Sequence, residues 1–131
     1  MRTVRPPAVA GSFYPLEPGS LRREVARLLA ATPCDPRNPV CPKALIVPHA
    51  GYVYSGATAA LAYARLKPYA SDIRKVVLLG PAHRVAAPGL ALPNVDMLAT
   101  PLGTVPVDGD SIQSLLALPQ VTANAAVHAM E

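Results

Sequence analysis

From Ser20 onward the chain places Leu21, Val25, Leu28 and Leu29 on one stripe at helical spacing, with Arg22, Arg23 and Arg27 off it. This pattern predicts a helix capped by Ser20. Residues 43–47 (KALIV) and 74–79 (RKVVLL) are different: short continuous apolar runs with β-branched members, which predict strands buried on both faces. Between them GATAALAYARLK predicts an alanine-rich helix, capped by Ser55 and stopped by Pro68. Strand, helix, strand is a βαβ unit. Beyond Gly89 the pattern is broken repeatedly by Pro and Gly, so strands there must be short, around 90–92 and 96–99. TPLG followed by VPVD has the composition of a β-turn and a helix lead-in, and Ile112, Leu115 and Leu116 then restore helical spacing with Asp108 or Asp110 at the cap. The last stretch, VTANAAVHAME, begins another helical segment. At the other end, Pro6, Pro7, Gly11 and Pro15 exclude a long helix and predict an extended or edge segment, while four prolines make 32–42 a loop.

Composition narrows the class. A chain of 131 residues supports one domain, and 51% hydrophobic, 15% charged and 5% aromatic residues suit an α/β fold in which small-residue helices cover a sheet. The net charge of +4 is unevenly placed: all twelve basic residues precede position 85, and only Asp96, Asp108, Asp110 and Glu131 carry charge after it. That asymmetry can steer an anionic ligand, but no Lys/Arg cluster interleaved with aromatics gives a nucleic-acid footprint. No leader pattern and no run of bilayer length is visible, which predicts a cytoplasmic protein without membrane association. Cys34 and Cys41 are separated by six residues, a spacing of neither the Cys-x-x-Cys redox pair nor a zinc knuckle, and are expected to be two loop thiols. Phosphate-binding loops, dinucleotide fingerprints and the Gly-x-Ser-x-Gly elbow are missing from the sequence, which disfavours nucleotide-fuelled and serine-hydrolase chemistry.

Candidate chemistry rests on two histidines. His49 lies two residues beyond the run 43–47, in LIVPHAGYVYSG, and His83 lies four beyond 74–79, in VVLLGPAHR. In a right-handed βαβ unit both strands end on one sheet edge, where ligands of open α/β sheets bind. Adjacent strands lie about 4.8 Å apart, so two imidazoles of this reach are placed to share one ion at roughly 2.0–2.1 Å. The ordinary alternative for each is a loop histidine bonded to backbone. His128 is a weaker candidate, expected to share a helical face with Glu131. Tyr52 and Tyr54 alternate as in a half-buried strand, and Asp108 and Asp110 are assigned to capping.

Five segments together resemble the Memo family, whose bacterial members are called AmmeMemoRadiSam system protein B. They are RPPAVAGSFYP (5–15), VPHAGYVYSG (47–56), LLGPAHR (78–84), TPLGTVPVD (100–108) and HAME (128–131), in order over essentially the whole chain. The resemblance implies a three-layer α/β/α domain with a largely parallel central sheet, similar to the class III extradiol dioxygenases that use non-haem iron. It implies metal ligation by His49 and His83, divalent iron or copper as the cofactor, and His128 as a proton donor beside the ligands. It also implies company with an AMMECR-type protein and a radical SAM enzyme. Family members are longer, so 1–131 is expected to be the N-terminal half of a Memo-like domain, truncated before a further ligand and not catalytically competent alone. An uncovered apolar face would then favour self-association into a homo-oligomer. A different class of function stays open: a non-catalytic module that holds a peptide or small molecule in the same cleft.

Overall fold

The computed structural model describes residues 2–32 and 40–131, and Cys34 lies outside them. The chain is α/β and divides into two compact units, one of residues 11–80 and one of residues 1–10 with 81–131.

The described residues of the unit 11–80 are built on two α-helices. Helix α1 (Pro18–Ala30) begins three residues earlier than the apolar stripe and a Ser20 cap predict. Glu17, not Ser20, is the cap: its carboxylate accepts from Gly19 N (2.7 Å) and Ser20 N (2.6 Å), with proline, which has no N–H to lose, directly after it. Those two hydrogen bonds hold the Glu17 carboxyl below its ordinary value. Leu21 is buried, and Val25, Leu28 and Leu29 are half-buried, as the stripe requires, while Arg22, Arg23 and Arg27 are exposed.

Helix α2 (Tyr52–Tyr63) is capped at Gly51, four residues before the predicted cap Ser55. Ser55 is therefore inside the first turn, where its buried hydroxyl donates back to Ala50 O at 2.6 Å and Gly51 O at 3.4 Å. Tyr52 and Tyr54 are helical, not alternating residues of a strand. The buried face of α2 is Ser55, Gly56 and Ala60, side chains small enough to bring α1 within contact. A Cβ on Gly56 would stand 3.0 Å from Leu28 Cδ1. The helix tightens into a 3-10 segment (Ala64–Tyr69) that contains Pro68, so the proline ends regular α geometry five residues ahead of itself.

Residues 44–49 and 73–80 form no strand. Ile46, Val76, Val77, Leu78 and Leu79 are all exposed, Ile46 completely. The βαβ unit predicted from these runs is thus absent among the described residues. An apolar run signals that a segment needs cover; it does not say which segment supplies the ladder, and the described part of this unit offers helices only.

In the other unit, the predicted extended opening is edge strand β1 (Val4–Arg5). It pairs parallel with β3 (Met97–Thr100), which pairs antiparallel with β4 (Gly103–Pro106), so VPVD contributes to a hairpin before the helix. Asp96 ties β1 in place by accepting from Thr3 N (2.6 Å) and Thr3 Oγ1 (2.9 Å). Strand β2 (Leu90–Leu92) pairs parallel with β5 (Val121–Ala123). Among the described residues two of the three pairings are parallel, in two small sheets rather than one central sheet formed by 43–47 and 74–79. Asp108 caps α3 (Gly109–Leu116) through Ser111 N at 3.1 Å, and Asn124 caps the short α4 (Ala125–His128). Val121 and Val127 form the buried centre of this unit.

Candidate functional site

Each predicted site residue belongs to a defined local setting. In the unit 11–80, His49 is exposed, two residues before the Gly51 cap of α2. Here two of the five motif segments meet. Tyr52 N donates to Phe13 O at 2.7 Å, and the Tyr14 and Tyr52 rings stand 5.8 Å apart between centroids. An open cavity of about 560 Å³ lies over this junction, lined by residues of 11–15, by Arg27 and Leu28 of α1, and by the first turn of α2. Partial burial raises the Tyr52 hydroxyl pKa above its ordinary value.

In the other unit, His83 is half-exposed and held by Glu131. Glu131 Oε2 stands 2.7 Å from His83 Nδ1, and Glu131 Oε1 accepts from the backbone N–H of His83 and, at 3.1 Å, of Arg84. The hydrogen bond with the His83 ring, then those with the two backbone amides, hold the Glu131 carboxyl at about 2, well below its ordinary 4.5. An ionised carboxylate only accepts, so Nδ1 carries a hydrogen. The segment behind Glu131 is fixed from β1: Arg5 Nε donates to His128 O at 2.8 Å, and Arg5 Nη2 to Glu131 O.

His128 is the last residue of α4 and half-buried. Its Nε2 donates to Ala91 O at 2.9 Å, which couples α4 to β2. Glu131 thus reaches His83, not a shared helical face with His128, because α4 ends at His128 and the chain turns away. Sequence spacing missed this partnership, since 48 positions separate the two residues. The available signal was the presence of both in motif segments. Among the described residues no three His, Cys, Asp or Glu side chains form a metal-holding group.

The Memo-like protein family model matches residues 5–131, a range that contains Arg5, His49, His83, His128 and Glu131. The chain belongs to the Memo family. It is 38% identical over 128 residues to a MEMO1 family protein of Aquifex aeolicus, covering 98% of this chain and 45% of that protein. It is 36% identical over 140 residues to a MEMO1 family protein of Ignicoccus hospitalis, covering 98% of this chain and 49% of the relative. Protein MEMO1 of Xenopus laevis is 39% identical over 99 residues, 76% of this chain and 32% of the relative. This Memo chain therefore spans about half, or less, of the length of these curated relatives. Among its described residues no helix is long and apolar enough to cross a membrane.

Proposed function

We propose that the chain contributes His49 and His83 as ligands for divalent iron or copper, in a Memo-like metalloprotein of extradiol-dioxygenase type. The observation that carries the reading is the His83–Glu131 pair. Metal-binding histidines commonly donate one ring N–H to a carboxylate and present the other nitrogen to the ion, and His83 has the first half of that arrangement at 2.7 Å. Imidazole suits both metals. His49 enters through its motif, VPHAGYVYSG, and its exposed position ahead of α2.

Two imidazoles are an incomplete donor set, because non-haem iron takes a carboxylate or another third protein ligand. The proposal therefore includes the remaining length of a Memo-like domain as the source of that ligand and of α/β/α layering, with 1–131 acting as its N-terminal half. A bound ion of this kind supplies Lewis acidity and redox capacity toward dioxygen or a substrate oxygen. The chain's own residues then have separable tasks. His49 and His83 bind, Glu131 holds the His83 ring, and His128 secures β2 to α4 and is the proton donor of the proposal. Association with an AMMECR-type protein and a radical SAM enzyme is part of the same family-based reading.

Metal titration of the chain beside His49→Ala and His83→Ala tests it. Weakened binding in both variants is expected; unchanged binding in both removes the reading. A second function, a non-catalytic peptide or small-molecule module, draws on the open cavity beside Phe13 and Tyr52. Peptide binding that persists in chelator, with no oxygen consumed, would favour that module.

A further inference from the structure

We infer that Glu131 is the positioning residue for His83: it fixes the ring direction and the Nδ1–H tautomer, so that Nε2 is the nitrogen addressed to a divalent cation. The inference deepens the metal-binding reading and rests on it for the cation, while the tautomer is a property of the metal-free chain.

The grip is made at two levels of one residue. One carboxylate oxygen takes the ring Nδ1 and the other takes the His83 backbone N–H, so the ring is fixed relative to its own main chain. The Arg84 amide adds a third contact on the second oxygen. A single ring contact would leave the imidazole free to pivot about it; the added backbone contacts remove that freedom. The Glu131 side chain is 20% exposed against 52% for that of His83, so the histidine is the more accessible member of the pair.

The carboxylate is itself supported. Arg5, on β1, donates to the carbonyls of His128 and Glu131, and Asn124 caps the helix that leads into them. The His128 ring bond to Ala91 O anchors the same helix from β2. Residues from the first and last motif segments of the chain thereby set the orientation of a histidine in the third. Arg5 acts through main-chain oxygens of His128 and Glu131 and is a support for Glu131, not a ligand.

The test combines ring ¹⁵N spectra of His83 in the metal-free chain with anaerobic Fe(II) titration of the chain, Glu131→Ala, Glu131→Gln and His83→Ala. In the unsubstituted chain Nδ1 is expected to show the protonated-type shift and Nε2 the unprotonated type. Glu131→Ala is expected to mix the tautomers and weaken Fe(II) binding about 10–100-fold. Glu131→Gln keeps the side-chain length with one acceptor and gives an intermediate result; it stands in if the alanine variant loses its backbone amide spectrum. An Nε2–H tautomer in the unsubstituted chain overturns the inference. So does Fe(II) affinity unchanged by either Glu131 substitution while His83→Ala abolishes binding, a result that leaves the metal reading intact. If neither the unsubstituted chain nor His83→Ala binds Fe(II), the cation half of the inference fails for this chain, and the ¹⁵N spectra alone decide the positioning role.

Discussion

The backbone N–H of Tyr52 donates to Phe13 O at 2.7 Å, and Gly51 just before it packs closely on the same residue: a Cβ there would stand a crowded 3.3 Å from both Phe13 Cα and Phe13 O. Helix α2 therefore begins where the segment 11–15 lies against it, and the glycine of HAGYVYSG is explained by a close backbone approach.

Gly51→Ala is expected to destabilise the unit 11–80, because the crowded atoms belong to backbone and cannot rotate away. Overpacking of this kind costs about 1–3 kcal/mol. Gly80→Ala is the control, since nothing lies within 4 Å of a Cβ at that position. Denaturant melts of the two variants should separate them clearly, and equal midpoints would refute the packing account.

Gly89 makes a sharper case. Its φ is +74°, and a Cβ would lie 2.2 Å from Gln120 O, the same oxygen that accepts from Leu90 N at 2.8 Å to begin the β2–β5 pairing. Gly89→Ala combines a left-handed backbone penalty of about 1–2 kcal/mol with a backbone clash. It should open the β2–β5 ladder, seen as lost amide-exchange protection at Leu90–Leu92 and Val121–Ala123, while protection in α1 is retained.

The parts of the fold legible in the sequence are those set by neighbouring residues. The Leu21/Val25/Leu28 stripe, the Asp108 cap and the short strands near 90–92 and 96–99 each follow from a few adjacent positions. Both of the first two helices start earlier than the hydroxyl positions predict. Glu17 reaches two amides ahead of Pro18, which leaves Ser20 inside the helix, and Ser55 bonds backward to carbonyls instead of forward to amides. The runs 43–47 and 74–79 announce a need for burial but not their partners. Of the candidate site, the histidines were legible as motif residues. Glu131 was not assigned to His83, because that contact joins positions 48 apart through the turn after α4.

The Thr3–Asp96 tether gives a pH dependence with a definite sign. Backbone and side-chain hydrogen bonds from Thr3 hold the Asp96 carboxyl below its ordinary 3.8. A depressed folded-state value means that the tether contributes fully above the unfolded-state value and is lost as pH falls through the folded one. Protection of the Val4 and Arg5 amides, the ratio of intrinsic to observed exchange, should therefore fall below about pH 4, and Asp96→Asn should show lower protection already at neutral pH. A profile for Asp96→Asn that overlays the unsubstituted chain from pH 2 to 7 would exclude this tether.

Val76, Val77, Leu78 and Leu79 are each between 74% and 79% exposed, so both faces of an extended apolar segment meet water. Burying one such side chain contributes about 1.5–3 kcal/mol, and a four-residue run with unpaired backbone is a template for strand addition. With no ladder partner among the described residues, a second copy of the chain is the nearest source of one in a concentrated solution. The chain is expected to self-associate with a concentration-dependent sedimentation coefficient. Val77→Lys with Leu79→Lys should shift it toward monomer by placing two like charges along the pairing edge, whereas lysine at Leu118, an exposed apolar position of the other unit, should not. Monomeric sedimentation of the unsubstituted chain at all concentrations would show that these residues find their cover within the chain itself.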